Sequence, residues 1–279
     1  MVREELVDAV RAHYDRLAFY YRSFWGDHIH HGYWEGDETP EEAQVRLVAR
    51  LAERAAIPHE ARVLDVGCGF GGSALWLVRN RRCHVTGVTI SPVQAKRAAE
   101  QARADGLDDR ADFLVMDANQ LGFPAATFDV VWVIECSEHL EDKEAFVRSC
   151  ARVLRPGGRL ALCAWLSTAS GRPEHAQLVD EVCQGMLCPS LASAAEYLAW
   201  MRAAGFERAS FDDITRRVGR TWEHCSAIVE RPEMRALRWL MDERTRAFVL
   251  SFAAMRRAYA EGAMAYGMFT AHKVAKEGC

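Results

Sequence analysis

The sequence predicts an α/β fold, a doubly wound sheet of about seven mostly parallel strands carrying helical lid insertions. Three features carry that prediction. Short β-branched runs alternate with helical stretches between residues 62 and 165, the pattern of βαβ units. The apolar run Val63-Leu64-Asp65-Val66 passes directly into a glycine-dense turn, Gly67-Cys68-Gly69-Phe70-Gly71-Gly72. Beyond Trp165 the chain changes to helical segments rich in Leu, Met, Trp and Tyr, broken by strand-like runs at 206–213 and near 268–274.

Taken in order, residues 1–58 read as an N-terminal helical cap. Met1 to Arg16 carry charges throughout and lack the apolar centre of a signal peptide. Thr39-Pro40-Glu41-Glu42 combines a capping threonine, a proline at the first helical position and a capping-box glutamate, with Leu47, Val48, Leu51 and Ala55 on one face. Residues 59–165 form the ligand-binding core, with strands expected at 62–66, 83–88, 112–116, 129–134 and 159–165. Ser91-Pro92 starts a helix that runs to Ala104, and Asp142 caps the next, whose apolar face ends before Pro156-Gly157-Gly158. Residues 166–205 and 215–265 are lid insertions. No repeat or linker-like run divides the chain, so 1–279 is read as one domain.

Composition removes several function classes. Half of the 279 residues are apolar, enough for a sizeable core. A net charge of −4 offers no excess of cations to neutralise phosphates, which argues against a nucleic-acid partner. The longest apolar runs are too short to span a bilayer, so a cytoplasmic protein is expected. Nine cysteines without a C-x2-C pair fit reduced thiols, and no metal is expected. His28, His30 and His31 are close together, but their spacing matches no zinc motif.

The glycine turn is the most informative segment. Glycines let a ligand pack against bare backbone, and the free amides at the start of the next helix favour an anionic group. Gly67, Gly69 and Gly72 also satisfy the dinucleotide pattern G-x-G-x-x-G, so the glycines alone do not separate a nicotinamide dinucleotide from S-adenosylmethionine (SAM). Asp65 favours SAM: a carboxylate at the strand end suits the ammonium of a methionine moiety and offers nothing to a diphosphate.

Four blocks then share an order and spacing: Asp65 to Gly72, Gly87 to Gln94, Met116-Asp117-Ala118, and Leu154 to Gly158. Together they resemble class I SAM-dependent methyltransferases with a Rossmann-like sheet. With Trp25 to Trp34 added, the chain is most similar to the tocopherol O-methyltransferase group, with sarcosine/dimethylglycine N-methyltransferases and cyclopropane-fatty-acid synthases as relatives. One departure stands out, because Thr89, followed by Ile90 and Ser91, holds the place where a ribose-binding carboxylate is common. The resemblance implies that Thr89 and Gln94 meet the ribose instead. It also places Cys68 with the glycine turn, Asp117, Ala118 and Asn119 beside the adenine, Glu135 at the cofactor, and His30 or Tyr33 over its methionine end.

Methyl transfer is an in-line displacement, so the search is for a base and for walls that align the acceptor. Glu138 and His139, at the end of the fourth strand, are the leading pair, with His139 taking the proton and Glu138 orienting it. Met186, Tyr197, Trp200, Met201, Trp222, Trp239, Met255, Tyr259, Met264 and Tyr266 are candidates for an apolar acceptor pocket. Arg216, Arg217 and Arg220 read as a solvated face or as a cradle for an acidic acceptor. The expected partner is a small, partly apolar molecule: a phenol or prenylated quinol ranks first and a small amine second. A non-catalytic SAM-binding module and a nicotinamide-dependent oxidoreductase are the competing classes.

Overall fold

The computed structural model describes residues 3–232, 234 and 241–275. Seven strands form one sheet: β1 (Arg62–Val66), β2 (His84–Thr89), β3 (Ala111–Val115), β4 (Phe128–Ile134), β5 (Leu154–Ser167), β6 (Phe206–Asp213) and β7 (Met264–Lys273). Their spatial order is β3-β2-β1-β4-β5-β7-β6. The first five run parallel, and β7 lies antiparallel to both β5 and β6. The strand order reverses between β1 and β4, so a crevice opens there at the carboxyl ends of the strands.

The alternation of side chains explains why both faces are covered. Trp132 and Cys163 pack on one face beneath α2 (Pro40–Arg54) and α3 (Gly72–Arg81), while Val131 and Leu162 pack on the other against α5 (Lys143–Val153). All four side chains are fully buried. The predicted helix starts are present as hydrogen bonds. Thr39 and Glu42 close the capping box of α2, Ser91 accepts the Gln94 N–H at the start of α4 (Pro92–Ala104), and Asp142 accepts the Ala145 N–H at α5.

Most strand boundaries lie within a residue or two of the sequence reading, while β7 starts four residues early and β5 five. β5 begins at Leu154, which pairs with Phe128, and the Arg155-Pro156-Gly157-Gly158 turn interrupts the ladder before Arg159 pairs with Val130. α5 therefore stops at Val153, ahead of the turn, which is an irregularity within the strand and does not precede it.

The segment after β5 supplies α6 (Pro173–Met186) and α7 (Ala194–Ala203), and that after β6 supplies α8 (Thr215–Val218), α9 (Arg220–Val229) and α10 (Glu243–Ala260). The first helix, α1 (Arg3–Trp25), crosses the carboxyl edge of the sheet. Among the described residues no helix is long and apolar enough to cross a membrane.

Candidate active site

The crevice between β1 and β4 is lined by Gly67, Gly69, Thr89, Ile90, Gln94, Asp117, Ala118, Asn119 and Glu135, nine of the positions singled out from sequence. The two glycines serve different purposes. Gly67 has φ +79° and a Cβ there would meet Cys136 Cβ at 2.5 Å, so it lets the turn pack against the end of β4. Gly69 has φ +55° and no atom within 4 Å of its missing Cβ, so its bare side faces open space. Both glycines line the crevice, as the sequence reading expected of the turn, but only Gly69 leaves its Cβ space open.

Asp65 lies beneath the turn, 2 % exposed, and its Oδ2 has no hydrogen-bond partner. Burial pushes its carboxyl up to about 7. An unpartnered buried carboxylate is costly unless a cation or donor completes it. The small recess that it lines, with Cys68, His28 and His30, adjoins Gly67 and Gly69.

At the other end of the crevice, the Thr89 hydroxyl donates to Gln94 Oε1 (2.7 Å) while accepting the Ser91 N–H (3.2 Å). Thr89 and Gln94 therefore satisfy one another and present the Gln94 amide nitrogen as a donor, whereas the sequence reading expected a pair of acceptors. Asp117 Oδ1 accepts both the backbone and side-chain N–H of Asn119 at 2.8 Å, which fixes the loop after β3.

Glu135 is the hub of a buried network. Its backbone adopts φ +52°, a left-handed conformation that costs about 1–2 kcal/mol for a residue with a side chain. That twist places Oε1 where it accepts the His31 N–H (2.7 Å), His31 Nδ1–H (3.0 Å) and Tyr266 O–H (2.7 Å). Burial would raise its pKa, but the His31 ring and these hydrogen bonds outweigh burial and hold the carboxyl well below the usual range. Trp222 Nε1–H, which only donates, points at His31 Nε2 (2.6 Å) and so fixes the imidazole with its proton on Nδ1.

His139 is fixed in the same way. Its Nδ1–H donates to the Leu187 carbonyl (3.1 Å), so Nε2 carries the lone pair and accepts the Tyr14 O–H (3.0 Å). Burial lowers the His139 pKa and keeps the ring neutral. Glu138 does not orient it, contrary to the sequence reading. Its Oε1 accepts the Trp165 N–H (2.7 Å), and burial with the nearby Glu135 pushes its carboxyl up to about 8. Both residues, with Tyr14, Trp165, Met186 and Trp222, border a small inner chamber that adjoins the crevice across the shared residues Ile29, Glu135 and His139.

Two predicted cofactor contacts stand elsewhere. Ser91 is fully buried; its hydroxyl caps α4 and donates to Asp15 of α1, so it ties the N-terminal helix down and does not line the crevice. Tyr33 is held by its backbone to Ala43, with its ring flanked by Arg50 and Arg217 at 5.7 and 5.9 Å. His30 stays close, but its Nδ1–H donates to the His31 carbonyl (2.8 Å) and its Nε2 receives His28 Nδ1–H (3.2 Å). Arg220 stacks on Trp34 at 4.8 Å, so Arg217 and Arg220 staple the 30–36 segment and do not cradle an acceptor.

Of the C-terminal candidates, Met186 and Trp222 reach the inner chamber. Tyr266 and Tyr259 bond to the Glu135–His31 network, and Tyr197, Met201, Met255 and Met264 are core. Trp200 packs beside that core, and Trp239 lies outside the described residues. Sequence reasoning missed Tyr14, Val7 and Val10 of α1, which line the crevice. Their helical spacing with Leu17 and Tyr21 was the available signal.

Comparison with known proteins agrees with this geometry. Residues 64–162 match the family model for a methyltransferase domain. The chain is 36% identical over 263 residues to 27-O-demethylrifamycin SV methyltransferase of Amycolatopsis mediterranei (strain S699), covering 93% of this chain and 95% of that protein. The chain is a class I SAM-dependent methyltransferase. This methyltransferase is also 30% identical to the chloroplastic tocopherol O-methyltransferase of Arabidopsis thaliana, over 97% of the chain and 83% of that protein, in line with the likeness read from the motifs. Among solved structures, the 4+2 cyclase SpnF superimposes on the methyltransferase with a TM-score of 0.77 at 29% identity, covering 95% of this chain and 96% of that one.

Proposed function

We propose that this methyltransferase holds SAM in the β1/β4 crevice and methylates a hydroxyl on a small, partly apolar acceptor seated in the inner chamber. The carrying observation is the position of His139. It lies on the wall shared by crevice and chamber, with its unprotonated Nε2 turned to Tyr14. SAM supplies an electrophilic methyl group on a sulfonium.

The chain's own residues fit that cofactor. Asp65 Oδ2 lacks a partner and suits the α-ammonium, Gly69 leaves its Cβ space to the ligand, and Gln94 offers a donor toward the ribose. Asp117, Ala118 and Asn119 line the far end, where an adenine would rest. On the acceptor side, His139 Nε2 receives the proton released by the hydroxyl as its oxygen attacks. The Leu187 carbonyl then holds Nδ1–H and stabilises the resulting imidazolium. The Tyr14 hydroxyl, which aims Nε2, turns to the acceptor oxygen. Trp165, Trp222 and Met186 exclude water from the reacting group.

A small amine is the second reading. Glu135 and Glu138 both face the chamber and would favour a cation there. The relative from Amycolatopsis mediterranei supports oxygen as the accepting atom, in that its name gives an O-demethylated substrate. Transfer of labelled methyl from SAM to phenols, prenylquinols, amines and unsaturated lipids separates these readings. Labelled phenol or quinol ethers are expected; transfer confined to amines would reverse the order. Cyclisation without any methyl transfer, as the likeness to SpnF invites one to check, would refute both.

A further inference from the structure

The inner chamber is small, about 50 Å³. Next to it, between α1, α9 and α10, lies a second and larger cavity of about 290 Å³. Tyr21, Trp25 and Phe248, among the described residues, border both spaces. Among the described residues the outer cavity is mostly apolar, with Leu17, Ile228, Val229 and Val249 on its walls. Arg16 and Asp242 pair at its rim, where both are about half exposed, and Tyr20 beside them is 48% exposed.

The rings that border both spaces pack edge to face against one another and against Phe252. Phe248 meets Tyr21 edge-on at 5.8 Å and His13 at 4.8 Å, contacts held by ring packing. The Tyr21 hydroxyl keeps one hydrogen bond, to His13.

Resting on the reading that the inner chamber receives the reacting group, we propose that the acceptor is a two-part molecule. Its hydroxyl-bearing head reaches His139, and an apolar portion extends past Tyr21, Trp25 and Phe248 to fill the cavity between α1, α9 and α10. The chamber is much the smaller of the two spaces, and among the described residues the larger one is mostly apolar, with its charged pair at the rim. The ligand class is a phenol or alcohol bearing an alkyl or prenyl substituent, in preference to a compact polar metabolite.

Each methylene moved from water into such a cavity strengthens binding by a factor of about four. Tenfold is thus a low threshold for a chain of several carbons. The test uses hydroquinone bearing a methyl group and hydroquinone bearing an octyl chain, titrated calorimetrically into the protein with S-adenosylhomocysteine present. The octyl probe is expected to bind at least tenfold more tightly. Val249→Trp and, separately, Ile228→Trp fill the outer cavity; each is expected to bring the two probes within threefold while leaving S-adenosylhomocysteine affinity unchanged, since neither residue lines the crevice. Equal affinity of the two probes for the wild-type protein overturns the proposal, as does an octyl preference that survives in a folded cavity-filling variant. Methyl transfer to both probes without regard to chain length would leave the methyl-transfer reading intact and sink the two-part acceptor. Octyl-selective binding without methyl transfer would do the reverse.

Discussion

Replacing Asp65 with Asn should stabilise the ligand-free protein and weaken its hold on SAM. In the ligand-free fold this carboxyl is buried, Oδ2 lacks a partner, and burial alone pushes it up to about 7. The folded protein therefore keeps a proton that the unfolded chain gives up. Asp65 is neutral in its effect at low pH, becomes progressively destabilising as pH rises from about 4 to about 7, and costs about 4 kcal/mol above that range. Asparagine carries no charge but leaves an amide underbonded, at about 1–3 kcal/mol, so the net gain at pH 8 is about 1–3 kcal/mol. An ammonium placed beside the carboxylate removes the same penalty, which couples SAM binding to loss of the Asp65 proton. Wild-type affinity should fall by up to about tenfold per pH unit below pH 7. The Asn variant should show a flat profile and bind about 10- to 100-fold more weakly at pH 8, the worth of a charge-assisted hydrogen bond. Calorimetric titration with S-adenosylhomocysteine from pH 5.5 to 8, beside urea unfolding of the ligand-free proteins, reads both quantities. Wild-type affinity in the variant at pH 8 would refute the assignment of the ammonium to Asp65.

Three other outcomes are expected. Both Gly67→Val and Gly69→Val bear the strain of a positive φ, but only Gly67→Val also collides with Cys136, so it should lose more stability, while Gly69→Val should abolish cofactor binding; melting curves and SAM titration of the pair distinguish these fates. His139→Ala should lower turnover by about 10²- to 10⁴-fold with SAM affinity retained, and Tyr14→Phe by a smaller factor, about tenfold; single-turnover kinetics would demote His139 to a structural role if turnover were unchanged. Glu135→Gln keeps an oxygen for His31 and Tyr266 but loses the charge that three donors hold, so chemical unfolding should register a loss of about 1–3 kcal/mol.

The sheet was legible because its signals are local. Alternating β-branched runs, helix caps and the Asp65 to Gly72 turn each fix a piece of geometry within a few residues. What escaped depends on residues far apart in the chain. Tyr14 reaches His139 across 125 positions, a contact no local pattern encodes. Ser91 and Tyr33 had plausible side chains at plausible places, but a helix cap bonded to Asp15 and a cation–π sandwich claim them. Glu138 and His139 are adjacent in a short 3-10 turn, which sends one toward the Trp165 backbone and the other toward Tyr14, so adjacency did not mean partnership. The inward role of Gly67 was likewise invisible without Cys136 beside it.

The most direct test is a crystal structure with bound S-adenosylhomocysteine. The amino group should lie within hydrogen-bond distance of Asp65 Oδ2, the amino-acid part over Gly69, the adenine beside Asp117 to Asn119, and the sulfur facing the wall that carries His139. A ligand bound in the reverse sense, or an Asp65 carboxylate still unpartnered with the ligand in place, would contradict the proposed site.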